Sequence, residues 1–229
     1  MGDIEPHGDE ITIGVPLPPV RFKASRQRKN VLTNLIKEHT KGKSFLLTGE
    51  IKVNVEWMIH EQDRHESSRS PDIDNILKPI LDAMQGPDGI MVNDSQVQEL
   101  SCRWIDWPAR EQRLDLHLRF LPDEWARKDG LIFVRMSPTL CMPLNRQIPA
   151  EGILLMLEVW ERQFNTRTEL IASGWDYYQA NSVMSIQRPF HISRLLGFTV
   201  LPLDELRKEL IAANQASAVP TQPQKEPLP

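Results

Sequence analysis

An α+β fold is what the sequence predicts, on three features: strands marked by apolar alternation, helices marked by apolar stripes, and short links between the last strands. In EITIGVPL the alternation puts Ile11, Ile13, Val15 and Leu17 on one face of a first strand, which stops at Pro18 and Pro19. SRQRKNVLTNLIKEHTKGK offers Ser25 as a helix cap, spaces Val31, Leu32, Leu35 and Ile36 as one stripe, and ends at Gly42. From Ile51 to Ile59 the odd positions are apolar while Lys52, Asn54, Glu56 and His60 take the other face of a half-buried strand. HEQDRHESSRS has no apolar period and reads as a loop leading into a second helix. After that helix, GPDG at 86–89 is turn chemistry, and NDSQV at 93–97 reads as a short capped turn. Two strands follow, one from about Gln98 to Ile105 and one in which Leu114, Leu116, Leu118 and Phe120 alternate with Asp115, His117 and Arg119. The predicted order is β-α-β-α-β-β, with both helices on one face of a mostly antiparallel or mixed sheet and the short connection favouring antiparallel last strands.

The pattern lapses at LPDEWARKDG, the expected boundary between a first unit at 1–126 and a mainly helical accessory region at 127–214. Within the second, LIFVRM is a candidate strand, PAEGILLMLEVWERQFNTRTELI a long helix with Pro149 near its start, and LDELRKELIAANQ a helix capped by Asp204. ASAVPTQPQKEPLP carries little apolar mass, so residues 215–229 are expected to form a disordered tail. No apolar run approaches the roughly 20 residues of a bilayer span. The acidic start MGDIEPHGDE is unlike a secretory signal, and a cytoplasmic protein without a membrane partner is expected. Cys102 and Cys141 lie far apart without C-x-x-C spacing, which argues against a disulfide framework or zinc site and predicts reduced, buried thiols.

The chemistry concentrates in SPDIDNILKPILDAM, at 70–84, where two aspartates precede an amphipathic helix. An aspartate is a good N-cap because its carboxylate accepts amide hydrogens that the first turn leaves free, and capping alone accounts for one of Asp72 and Asp74. Lys78 follows Asp74 by four residues, hence one turn up on the same face, where its ammonium can reach a phosphate held at the helix mouth. As an ordinary exposed ion pair it would contribute only about 0.3–0.5 kcal/mol. Asp94 folds back towards the same helix if Met91 and Val92 enter the sheet. Were Asp72, Asp74 and Asp94 to meet about 5 Å apart, each like-charged pair would cost roughly 1–3 kcal/mol, more than one lysine offsets. An oxygen-only site of that kind suits Mg²⁺, or Mn²⁺, better than zinc.

SPDIDNILKPILDAM together with GIMVNDSQVQEL resembles the RusA family of Holliday-junction resolvases, endodeoxyribonucleases that cut four-way DNA junctions. The resemblance takes in D-x-D-N, the lysine four residues later, the L-D-A that continues the helix and the acidic D-S-Q-V turn. ITIGVPLPPVR, with its double proline, is similar to the family's opening, and coverage runs from about Glu10 to Pro122. It implies a RusA-like core, Asp72, Asp74 and Asp94 as metal-binding carboxylates, Lys78 as the catalytic lysine, and nicks bearing 5′-phosphate and 3′-hydroxyl ends. Three features depart from the pattern. Asn93-Asp94 stands where many members have two adjacent acids, and the C-terminal region has no counterpart. Pro79 follows Lys78, where it clashes with the carbonyl of Asn75 in a regular helix, at about 3 kcal/mol, so a bend or loosened first turn is expected.

The net charge of −4 runs against a nucleic-acid partner, which usually needs a basic surface. Local charge answers this: from 21 to 43 the basic residues Arg21, Lys23, Arg26, Arg28, Lys29, Lys37, Lys41 and Lys43 face a single acid, Glu38. Arg21, Lys23, Arg26, Arg28 and Lys29 are the candidate DNA contacts. The aromatic run GWDYYQ at 174–179 is assigned no function. The expected function is a Mg²⁺-dependent, structure-selective endodeoxyribonuclease in DNA recombination and repair. It would be a homodimer, since a branched four-way junction is two-fold symmetric and paired nicks need two active sites. The alternatives are a non-catalytic DNA-binding scaffold that keeps the fold, with its C-terminal region recruiting a protein partner, or a metal-dependent phosphohydrolase on other phosphates.

Overall fold

The computed structural model describes residues 5–16, 18, 23–67, 72–185 and 187–217. The chain first forms β1 (Glu10–Val15), α1 (Arg26–Lys41), β2 (Phe45–Leu47), β3 (Ile51–Ile59), α2 (Glu61–His65), α3 (Ile73–Met84), β4 (Val97–Asp106) and β5 (Arg113–Phe120). The fold is mixed α+β, as predicted. One sheet has the order β1-β5-β3-β4, with β5 antiparallel to both β1 and β3, and β4 parallel to β3. The last two strands therefore do not pair with each other, contrary to the expectation from their short link. The crossover through α3 delivers β4 alongside β3 in parallel, and the link at 107–112 carries the chain to β3's other edge.

The alternation read from the sequence decides which face of this sheet is covered. Ile13, Val55, Trp57 and Leu116 are fully buried against Leu32 and Ile36 of α1 and Ile76 and Ile80 of α3. The other face presents Lys52, Asn54, Glu56, His117 and Arg119 in a shallow cleft. Val31 is exposed, so the stripe of α1 is narrower than predicted. Ser25 caps α1 by accepting from the amide of Arg28 at 3.5 Å, and Gly42 ends it. The predicted loop after β3 contains the short helix α2, while its residues 68–71 lie outside the described residues.

The link after β5 is more ordered than its composition suggests. β6 (Trp125–Arg127) pairs antiparallel with β2, and the ring of Trp125 meets Phe45 edge-on at 6.1 Å. Then follow β7 (Leu131–Arg135), β8 (Leu140–Asn145), α4 (Ala150–Ala172), α5 (Tyr177–Ala180), β9 (Phe190–His191), β10 (Val200–Pro202) and α6 (Leu203–Ser217). The two long helices appear where the sequence placed them. LIFVRM is β7, and it belongs to a second sheet of order β10-β7-β8-β9. α4 and α6 cover this sheet through Leu157, Trp160 and Leu206 against Ile132 and Val134. Asp204 lies in the first turn of α6 instead of capping it, because the helix begins at Leu203. Of the expected tail, residues 215–217 instead continue α6, whose last turn they form, and residues 218–229 lie outside the described residues. Among the described residues no helix is long and apolar enough to cross a membrane. Both cysteines are free; Cys141 is buried, and Cys102 is half-buried with its thiol pushed up to about 11 by burial.

α3 and the turn after it position the candidate site. Gly86 has φ of +94°, a conformation that suits glycine. The amides of Ile90 and Met91 donate to the carbonyl of Met84 at 2.8 and 3.2 Å, and the amide of Gly86 donates to the carbonyl of Met91 at 3.0 Å. Met91 and Val92 are buried, and Met91 bridges to Leu47 of β2, so the chain does return along α3. The end of α1 pins the turn from outside: Lys37 pairs with Asp88 at 3.2 Å, and the hydroxyl of Thr40 donates to the carbonyl of Asp88 at 3.2 Å.

The turn's tightness makes one glycine irreplaceable. A Cβ at Gly89 would collide with the carbonyl oxygen of Met84, whereas one at Gly42 meets nothing within 4 Å and sits at φ of −72°. Gly89→Ala is therefore expected to destabilise by about 1–3 kcal/mol or more, as overpacking does. Gly42→Ala is expected to be neutral or stabilising by about 0.4–1 kcal/mol. Urea denaturation of the two variants checks this, and equal midpoints would contradict it.

Candidate functional site

Asp72 occupies the N-cap position of α3 with extended φ and ψ, yet its side chain makes no capping hydrogen bond. The bland explanation of this aspartate is therefore not realised. Asp72 and Asp74 are both exposed, and Asp74 accepts a long bond from the side-chain amide of Asn75 at 3.4 Å. The amide of Asn75 donates to the carbonyl of Asp72 at 3.1 Å, closing a tight first turn. α3 runs unbroken through Pro79, which is buried, so the expected loosening does not interrupt the helix.

One turn further, the ammonium of Lys78 donates to Asp82 Oδ1 at 2.6 Å and to Asp94 Oδ2 at 2.9 Å. Hydrogen bonds to these two carboxylates, Asp82 first, raise the pKa of Lys78 above its ordinary value against the opposing effect of burial. Lys78 is thus a charged donor at any physiological pH and not a base. Asp94 heads a short 3₁₀ turn, Asp94–Gln96, that is held by two glutamines. Gln85 Oε1 accepts from the amide of Asp94 at 3.1 Å and from the side chain of Asn93 at 2.9 Å. Gln96 is buried; its side-chain nitrogen donates to the carbonyls of Leu47 at 3.0 Å and Gly49 at 2.7 Å. Asn93 donates through its amide group, which an aspartate in its place lacks, and this is a local reason for the missing second acid.

The sequence thus located Asp72, Asp74, Lys78 and Asp94 on or against one helix, but it missed the partners that organise them. Asp82 was signalled by its i, i+4 spacing from Lys78, and Gln85 and Gln96 carry no such signal. Arg194 also approaches Asp94 from the C-terminal region, at 3.7 Å. Asp94 stands against the later turns of α3, level with Lys78, Asp82 and Gln85, while Asp72 and Asp74 stand at its mouth. Among the described residues no group of three acidic or other metal-ligating side chains is gathered closely enough to hold an ion. The donor chemistry nevertheless fits a hard cation: two exposed carboxylates uncommitted to capping, and a third whose charge is already met by the Lys78 ammonium.

The basic candidates lie on α1 or just before it. Lys23, Arg26 and Arg28 are exposed, Lys29 is half-buried, and Arg21 lies outside the described residues. Since β1 and β3 both run antiparallel to β5, they run parallel to each other. Each is followed by a helix that returns across the same sheet face, and α1 and α3 are joined near their C-terminal ends through Asp88. Their N-terminal ends therefore share one end of the sheet. The basic start of α1 and the acidic start of α3 thus lie at the same end of the sheet, and bases there suit contact with a phosphate backbone.

Residues 20–119 match the family model described as Endodeoxyribonuclease RusA. No curated protein matches the chain. The match contains α1, α3 and all four of Asp72, Asp74, Lys78 and Asp94, and it ends within β5, before the second sheet begins. Over residues 20–119, somewhat less than half of its length, the chain is therefore similar to the RusA family of endodeoxyribonucleases.

Proposed function

We propose that the protein is a divalent-metal-dependent, structure-selective endodeoxyribonuclease that resolves four-way DNA junctions by paired nicking as a homodimer. The observation that carries this reading is the contact of Asp94 with Lys78 at 2.9 Å, one helical turn from Asp74, inside the segment matched to the family. Asp72, Asp74 and Asp94 are the residues that would hold the cation. Bound there, Mg²⁺ or Mn²⁺ supplies the Lewis acidity on which phosphodiester hydrolysis draws. A water oxygen attacks phosphorus in line, the bond from phosphorus to the 3′-oxygen breaks, and a solvent proton completes the 3′-hydroxyl, leaving a 5′-phosphate. Lys78 donates its charge to the non-bridging oxygens as they become more negative. To do so its ammonium leaves Asp94 or Asp82, both of which it can reach again after release of the product. The exposed bases at the start of α1 would steer the arms of the junction to this end of the sheet.

The absence of a gathered three-acid group among the described residues favours a second reading, a DNA-binding protein that keeps the fold without cutting. Two variants separate the readings. Asp74→Asn is expected to abolish Mg²⁺-dependent cleavage of a synthetic four-way junction while leaving binding intact; undiminished cutting removes Asp74 from the reaction. Lys78→Ala is expected to slow single-turnover cleavage by roughly 10²–10³-fold, the usual cost of one transition-state donor. A rate within a few-fold of the unaltered protein would show that Lys78 serves only to neutralise Asp82 and Asp94. Failure of the unaltered protein to nick junction, duplex or single-stranded DNA with Mg²⁺ or Mn²⁺ would favour the second reading.

A further inference from the structure

We propose that the C-terminal region supplies a phosphodiester-binding subsite to the same centre, with Arg194 as its phosphate-binding residue. The inference rests on the nuclease reading for its substrate class, a DNA strand, and it concerns residues outside the matched segment 20–119.

A cleft of about 440 Å³ lies between the turn that carries Asp94 and the segment at 187–195, and its lining includes Ser95, Gln98, Arg188, His191 and Arg194. That volume falls within the roughly 300–1,000 Å³ of small-ligand sites. The segment is clamped in place. Gln187 accepts from the hydroxyl of Thr48 and donates to its carbonyl, both at 3.0 Å. Phe190 is buried in β9 with its ring 5.6 Å from Phe133, and Leu195 is buried on the far side of Arg194. Between these anchors a 3₁₀ turn, Ile192–Arg194, is capped by His191, whose ring accepts from the amide of Ser193 at 3.3 Å.

The fixed backbone aims a side chain that has little structural work. Among the described residues the one ion pair of Arg194 is the contact to Asp94 at 3.7 Å, and its side chain is 51% exposed. A pair of this geometry contributes about 0–1 kcal/mol, too little to explain so elaborate an anchorage. Arg188, in contrast, is engaged with Glu50 at 3.0 Å, so its charge is already met within the cleft wall, while Glu124 accepts from the amide of Glu50 at 3.1 Å. A guanidinium has a planar fork of donors matched to the non-bridging oxygens of a phosphodiester. Asp94 is then flanked by two cations, Lys78 from its own helix and Arg194 from the appended region. The strand that Lys78 addresses at one phosphate would be held by Arg194 at that phosphate or its neighbour.

Binding of a synthetic four-way DNA junction to the full-length protein tests this, by fluorescence anisotropy in EDTA across about 50–200 mM salt, a range over which phosphate contacts weaken steeply. Arg194→Ala is expected to weaken binding and to lower the slope of log affinity against log salt by about 0.9 for each Arg194 engaged. Arg194→Lys should restore most of the slope, and Arg162→Ala, on the exposed face of α4, should change nothing. Arg194→Gln, with its thermal unfolding checked alongside, guards against a folding defect in the alanine variant. Unchanged slope and affinity in both neutral variants, with junction still cut by the unaltered protein, would overturn this inference and leave the nuclease reading standing. An Arg194-dependent slope in a protein that cuts no DNA with Mg²⁺ or Mn²⁺ would uphold the subsite and defeat the nuclease reading. No DNA binding at all by the unaltered protein would overturn both.

Discussion

The ammonium of Lys78, held between Asp82 and Asp94, is the interaction on which the candidate site depends. Asp82 comes with the helix, at i, i+4. Asp94 does not, and its arrival requires the chain to reverse after Met84, bury Met91 and Val92 and stop against Gln85. A tight glycine turn, the end of α1 and the buried Gln96 each fix one part of that return. None of these groups touches the reacting atoms in the proposed chemistry. They decide whether the two carboxylates and the lysine meet at all.

Electrostatics then assigns the two ends of the helix different tasks. The mouth of α3 carries Asp72 and Asp74 exposed and uncommitted to capping, and the start of α1 at the same end of the sheet is basic. A net charge of −4 is thus compatible with a locally basic surface, since charge is unevenly distributed along the chain. The appended region adds to this distribution at Asp94 through Arg194. Its anchorage to Thr48 and the burial of Val92 with Phe133 make it continuous with the core at the point where the site is built.

Much of this was legible in the sequence, for reasons that can be stated residue by residue. β1, β3 and β5 announce themselves because one face is buried and the other wet, which imposes the period of two. The return of Asp94 was legible because GPDG forces a reversal and the apolar pair that follows has to be buried. β2 and β6 were not, since three residues such as Phe45–Leu47 are too few to show a period, and all three are buried. The neighbours of β5 were misjudged because a short link says that two strands are close, not that they pair. Arg194 was beyond reach of any local pattern: it meets Asp94 only through the second sheet and the Gln187 clamp. Spacing alone allows Lys78 to face Asp74, its predecessor by four, or Asp82, its successor by four, and the structure turns it towards Asp82.

The most direct measurement is the anomalous difference map of a crystal grown with Mn²⁺. A manganese peak contacted by Asp74 and Asp94 is expected, with the ammonium of Lys78 withdrawn from Asp94. A crystal soaked to saturation that shows no peak at these carboxylates, with Lys78 still bridging Asp82 and Asp94, would contradict the proposed site.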